Sequence, residues 1–140
     1  MTAAETGHLL FSTLHTLGAA NTIERIIDVF PANQQRQIAV QLAMVLRAVV
    51  SQQLVPGVDG KMLPVFEIMH VNPAIRNLIR ESKSHQIETI IGMSAGEGMI
   101  TMDNSLFALY QQGKITAETA LHHSLHPYLM EKRLRQPKGR

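Results

Sequence analysis

The sequence contains no cysteine, and this one absence removes both disulfides and thiolate metal sites. A chain without them is in keeping with a cytoplasmic protein. It has no apolar run near the roughly 20 residues that a bilayer-crossing helix needs. The N-terminus lacks a charged stretch followed by an apolar stretch and small residues, so no secretory signal is expected. Aromatic residues make up only 4% of the chain, and none interleaves with the basic C-terminus, which argues against a stacking surface for single-stranded nucleic acid. The net charge of +2 is too small to imply a nucleic-acid partner by itself. No glycine-rich loop ends in Lys-Ser or Lys-Thr, so these residues hold no phosphate cradle of their own.

What is present is enough for about one domain: 140 residues, 45% of them hydrophobic, can bury a real core. Residues 6–16 form a short apolar run with a histidine near each end. Leu9, Leu10, Phe11 and Leu14 suit a buried strand, and Thr13 suits a pleat. A strand would place His8 and His15 on opposite faces, roughly 23 Å apart at about 3.3 Å per residue. That geometry disfavours one shared metal and favours two separate sites. Each histidine reads either as a satisfied structural residue or as a switch or hydrogen-bond sensor.

Beyond Gly18, Ile23, Ile26, Ile27 and Phe30 recur at helical spacing, with two readings of the start: Asn21 and Glu24 as a capping box, or an earlier start near Ala19. Pro31 ends that helix and suits the start of the next, expected over 32–49, with its apolar stripe on Ile38, Leu42, Val45 and Val49. The period then changes. Residues 49–55 and 62–69 read as two strands around the turn signal at 56–60, a β-hairpin with a loop longer than two residues. The remainder reads as helices. Asn72-Pro73 is a cap and first-turn pair, Ser84 a cap, Thr101 a cap with Gly113 as the stop, and Thr116 a cap with Glu118 in the first turn. Pro127 either ends that helix or starts a last short one. Residues 136–140 are expected to fray.

Several side chains carry a functional and a structural reading side by side. His122 and His126 are four apart and would share a helix face toward a metal, or be solvated surface residues. Arg76 and Arg80 are an anion-binding pair, or a wet helix face with Glu81. Glu67 and His70 flank the second strand as an ion pair. Met93, Met99 and Met102 read as core filler rather than as ligands. Lys132, Arg133, Arg135, Lys138 and Arg140 crowd the last nine residues, just after Glu131. They support an alternative in which the chain is a stand-alone helical interaction module using its basic C-terminus on acidic lipid, nucleic acid or protein.

Residues 6–16 resemble the His box of secretion and pilus ATPases. The segment 25–31 follows at the expected place, residues 46–54 resemble the next block, and 98–103 resemble the closing region. The most specific part is 74–81, AIRNLIRE, which resembles the motif marking the PilT-type retraction ATPases of the type IV pilus. Together these cover nearly the whole chain, roughly 3–125. The intact AIRNLIRE block favours the PilT type over its PilU paralogue.

The resemblance implies an α-rich α/β fold: the C-terminal part of a RecA-like P-loop ATPase core, with one His-box strand plus a β-hairpin, followed by a helical bundle. It implies a division into 1–70 (ATPase core with the His box), 71–135 (helical region) and a disordered tail at 136–140. It implies a nucleotide-sensing box at Thr6, Gly7, His8, Thr13, Leu14, His15 and Thr16. The retraction motif falls at Ala74, Ile75, Arg76, Asn77, Leu78, Ile79, Arg80 and Glu81. No catalytic or metal residue is expected within these 140, because family members carry Walker A, the Asp box and Walker B before the His box. The expectation is therefore a C-terminal portion, from a truncated gene or an excised piece, inactive alone. The parent would be a cytoplasmic homo-hexamer at the inner membrane, working with ATP, Mg2+ and the pilus platform protein, and with no nucleic acid. Without its upstream neighbours the opening strand would expose Leu9, Leu10 and Phe11 and favour self-association.

Overall fold

The computed structural model describes residues 1–135; the fraying expected at 136–140 lies outside them. A short helix α1 (Thr2–Glu5) precedes α2 (Ala19–Asp28), α3 (Ala32–Val45), the strands β1 (Ala48–Pro56) and β2 (Met62–His70), α4 (Pro73–Arg80), α5 (Ile87–Met93), α6 (Met102–Gln111), α7 (Ala117–His123) and α8 (Pro127–Arg135). Two 3₁₀ turns, Ser84–Gln86 and Ala95–Glu97, precede α5 and α6. The α-rich α/β class and the hairpin are as expected.

Three of the four expected side-chain caps form; Ser84 does not cap, because it lies inside the 3₁₀ turn before α5, the N-cap of α5 is Gln86, and the Ser84 hydroxyl donates to Glu24. The side chains of Asn72, Thr101 and Thr116 accept the backbone N–H of Ile75, Asn104 and Thr119 at the starts of α4, α6 and α7. Gly113, at φ +71°, stops α6 in the left-handed conformation that glycine adopts without strain. Helix α2 takes the earlier start, at Ala19, and the Asn21–Glu24 capping box does not form. Glycine 18 is the N-cap of α2, Asn21 donates to the carbonyl of Leu17, and Glu24 accepts from the Ser84 hydroxyl instead of leaving it to cap. Helix α3 stops at Val45 rather than Val49, because Ala48 and Val49 are already paired with His70 and Met69 across the hairpin.

The expected strand over 6–16 is not formed. Residues 8–14 have no regular structure, and Leu9 and Phe11 stand 82% and 87% exposed. A strand is stabilised by hydrogen bonds to a neighbour. Among the described residues β1 and β2 form a two-stranded sheet with one another, and neither takes this segment as a partner.

The hairpin organises the packing. Its inner face runs Val49, Ser51, Gln53, Val55 on β1 opposite Met69, Glu67, Val65, Leu63 on β2. Two apolar clusters pack along it. One gathers Ala19, Ile23, Leu42, Ala43, Met69, Ile75, Ile79, Ile87 and Ile91, and so joins α2, α3, α4 and α5 to the open end of the hairpin. The other gathers Val55, Val65, Met102, Leu106, Ile115, Ala120 and Met130, joining α6, α7 and α8 to the turn end. Each cluster draws on residues from both sides of position 70. Between them, in the middle of the inner face, stands the buried polar pair Ser51–Glu67.

Candidate functional site

The site is built around the passage from residues 6–16 into α2. Here the chain turns at Gly18, whose φ of +89° and ψ of +146° belong to a region that side chains with a Cβ rarely enter. The turn drives the first amides of α2 into the sheet. Gly18 N–H donates to Ser51 Oγ at 2.8 Å, and Ala19 N–H donates to Glu67 Oε1 at 2.7 Å. The first amides of a helix have no partner inside it, so these two side chains satisfy groups that would otherwise be buried bare. Thr22 donates back to the Gly18 carbonyl at 2.8 Å, and its hydroxyl lies 2.8 Å from that of Thr16.

The second oxygen of Glu67 faces a different helix. Met102 N–H, at the first position of α6, donates to Oε2 at 3.2 Å. Glu67 is 2% exposed. Burial pushes its carboxyl above the ordinary range, while the two backbone N–H donors pull it down by less, and Glu88 and Asp103 add to the rise. Sequence reasoning missed Glu67 as a node. Its signal was its place between Val65 and Met69, at an inward position of an alternating strand, where an acid needs partners.

Of the His-box residues, Thr6 donates to the Ala3 carbonyl at 2.9 Å, and His8 Nδ1 lies 3.0 Å from the Thr6 hydroxyl and 3.2 Å from the same carbonyl. Gly7, Thr13 and His15 are exposed, Leu14 is 37% exposed, and Thr16 is half-buried at the approach to Gly18. The motif on α4 is placed differently. Ile75 and Ile79 are fully buried, Leu78 packs half-buried against the same cluster, and Ala74, Asn77, Arg80 and Glu81 face outward. Arg76 and Arg80 do not act as a pair. Arg76 Nε–H donates to the carbonyl of Ala43 at 3.0 Å, Arg80 donates to the Asn77 side chain, and Glu81 pairs with Lys83 at 2.8 Å. No hydrogen bond or ion pair among the described residues joins the His box to the α4 motif, and α2, which follows the box, places Ile23 in one cluster with Ile75 and Ile79.

Glu67–His70 and Met93 depart from expectation, and of the two readings of His122 and His126 the shared helix face does not form. Glu67 and His70 form no ion pair, because an odd spacing along β2 sends them to opposite faces. His122 and His126 do not share a helix face, because α7 ends at His123 and Asp103 holds the following turn. Its carboxylate accepts from the Leu125 and His126 amides and the Ser124 hydroxyl at 2.8, 3.1 and 2.7 Å. His126 Nε2 instead pairs with Glu88 at 2.7 Å, which raises its pKa, and among the described residues no group of three or more metal-binding side chains assembles. Met99 and Met102 are core as expected, whereas Met93 is 79% exposed.

The described cations of the basic C-terminus engage their own fold. Lys132 lies over Tyr128, Arg133 lies over Phe107 and donates to Asn104, and Arg135 pairs with Glu131. No helix among the described residues is long and apolar enough to cross a membrane.

Comparison with known proteins gives these positions a context. The family described as "Type II/IV secretion system protein" matches residues 1–62. The chain is 50% identical over 121 residues to the twitching motility protein of Neisseria gonorrhoeae, covering 86% of this chain and 32% of that one. It is 46% identical over 120 residues to the type IV pilus retraction ATPase PilT of Pseudomonas aeruginosa, covering 86% and 35%. The crystal structure of a pilus retraction motor PilT with bound ADP superimposes with a TM-score of 0.83 at 44% identity, over 94% of this chain and 36% of that one. The chain thus spans about a third of the length of the curated relatives it matches.

Proposed function

We infer that this chain belongs to the PilT-type branch of the type II/IV secretion ATPase family, and from that premise we propose that it carries the response side of a motor that retracts type IV pili. Residues 6–16 act as the nucleotide-sensing His box, and α4 acts as the output element. The observation that supports this reading is the shared apolar cluster of Ile23, Ile75 and Ile79. Helix α2 starts three residues after Thr16 and shares one apolar cluster with α4, so a displacement of the box reaches the retraction motif through the packed side chains of that cluster rather than through a slack linker.

The division of labour follows from what the residues offer. ATP and Mg2+ are held by the Walker machinery of the parent motor, where electrostatic stabilisation and positioning do the phosphoryl-transfer work. His8 and His15, both on the exposed segment, answer to that machinery. Arg80 and Glu81, exposed at the end of α4, meet the inner-membrane platform protein. The parent works as a cytoplasmic homo-hexamer bound peripherally at the membrane.

A chimera tests this. The matched third of the gonococcal twitching motility protein is replaced by the corresponding residues of this chain. The replacement is expected to assemble, turn over ATP and restore twitching. Within it, Arg76→Ala and the double variant Ile75→Ala plus Leu78→Ala are expected to lose retraction while ATP turnover persists. A well-assembled chimera with normal retraction and normal turnover in both variants rejects the role of α4.

A further inference from the structure

We propose that Glu67 is a positioning residue that ties the exit of the His box to the start of α6, giving residues 6–16 a second route into the C-terminal helices, independent of α4. The inference rests on the reading of 6–16 as the sensing segment.

The geometry is that of a shared acceptor. Glu67 Oε1 takes the Ala19 N–H and Oε2 takes the Met102 N–H, so one carboxylate joins the first residues of two helices that lie in different apolar clusters. Its cross-strand partner Ser51 holds the preceding amide, Gly18. An ionised carboxylate accepts on both oxygens. A protonated one becomes a donor at one of them, and a primary amide likewise presents N–H at one end. The ionised form therefore serves both helices best, the protonated form keeps only a weakened acceptor at its hydroxyl oxygen, and a primary amide can serve only one helix. Each helix start also places its positive dipole end toward the charge. A buried carboxylate held only for stability is poorly explained, since its desolvation costs more than a neutral side chain would. The charged groups whose fields reach it are Glu88 on α5 and Asp103 on α6, both acidic.

The consequence is a transmitted effect. A change at Gly18, where the His-box segment enters the sheet, moves Ala19 and with it the carboxylate that holds Met102. Helix α6 then carries the change to the cluster built on Met102, Leu106 and Met130.

The test is hydrogen–deuterium exchange of the 140-residue chain, read by mass spectrometry on peptides covering 18–23 and 101–106 and normalised to intrinsic rates. Ser51→Ala removes a contact on the α2 side alone. With Glu67 present it is expected to speed exchange in both peptides, by about tenfold at the affected amides, the effect of losing one hydrogen bond. In a Glu67→Gln background the same change is expected to stay within 18–23. Lowering the pH of the wild type through the titration of Glu67 should uncouple the two peptides as Glu67→Gln does. The Glu67→Gln profile should be flat, and a Glu88→Gln control should keep the response. Gly18→Ala, strained at φ +89°, serves as the second perturbation if Ser51→Ala does not fold. An effect confined to 18–23 in the presence of Glu67, or transmitted equally without it, overturns the proposal. A chimera that fails while exchange remains coupled removes the retraction reading and leaves the Glu67 link standing.

Discussion

Arg76 and Ala43 are joined across two helices: the Arg76 Nε–H reaches the Ala43 carbonyl, 3.0 Å away in the last turn of α3. Carbonyls at a helix C-terminus lack partners within the helix and carry its negative dipole end, so a guanidinium there is well placed. A substitution Arg76→Ala is expected to cost about 1–2 kcal/mol, from the lost bond and the lost packing of the stem. Urea unfolding measures this as a lower midpoint with an unchanged slope. Arg76→Lys is expected to recover part of the loss at most, because an ammonium group is a compact donor on a flexible stem.

The three apolar residues of the same helix should rank by burial. Ile75→Ala and Ile79→Ala each empty a fully buried site and are expected to cost about 2–5 kcal/mol. Leu78→Ala, at a half-buried site, is expected to cost clearly less in the same urea titration. Equal costs at all three positions would contradict the packing described.

Two groups bend the pH dependence of stability in the same direction at different pH. Glu67 has its carboxyl raised by burial, so the folded chain keeps a proton that the unfolded chain has lost. Its favourable contribution is full below the ordinary carboxyl value of 4.5 and is lost as pH rises through the raised one. His126 is raised from 6.5 by its bond to Glu88, so its contribution is full below 6.5 and lost as pH rises through the folded value. The pair is half exposed, so this second term is at most about 1 kcal/mol and shrinks with salt. Thermal melts from acid to mildly basic pH are expected to show both falls. Glu67→Gln should remove the first, and Glu88→Gln should remove the second.

Leu9 and Phe11 are expected to drive self-association without contributing to the fold. They are 82% and 87% exposed on a segment without regular structure. A double variant, Leu9→Ser plus Phe11→Ser, is expected to shift sedimentation at micromolar concentration toward monomer and to leave the melting temperature unchanged. A wild type that is already a monodisperse monomer would remove the expectation.

What was legible in the sequence was the part decided by neighbours. Asn72, Thr101 and Thr116 cap helices through amides three residues away, and the turn at 56–60 closes a hairpin whose strands follow at once. What was not legible depended on distance. Glu67 finds its partners 48 and 35 residues away, and no spacing rule connects an acid on a strand to the first residues of two remote helices. His122 and His126 matched a helical spacing, but Asp103 captures the amides of Leu125 and His126 from 22 and 23 residues away and breaks the helix between them. The strand expected over 6–16 has the right residue types. Strand formation, however, is a property of a pair, and apolar alternation alone supplies only one member.

The buried pair Ser51–Glu67 also fixes how the two strands align. Side chains alternate along a strand, so a slip of β2 by one residue against β1 would turn Glu67 to the outer face and bring Phe66 or Ile68 inward. An apolar side chain offers nothing to the amides of Ala19 and Met102, and both would be buried without an acceptor. A hairpin with apolar residues on both faces, Leu54 and Phe66 outside and Val55 and Val65 inside, would otherwise have weak grounds to prefer one alignment. The carboxylate at its centre makes every neighbouring alignment incompatible with the two helix starts, so a group that is costly to bury also excludes the wrong folds.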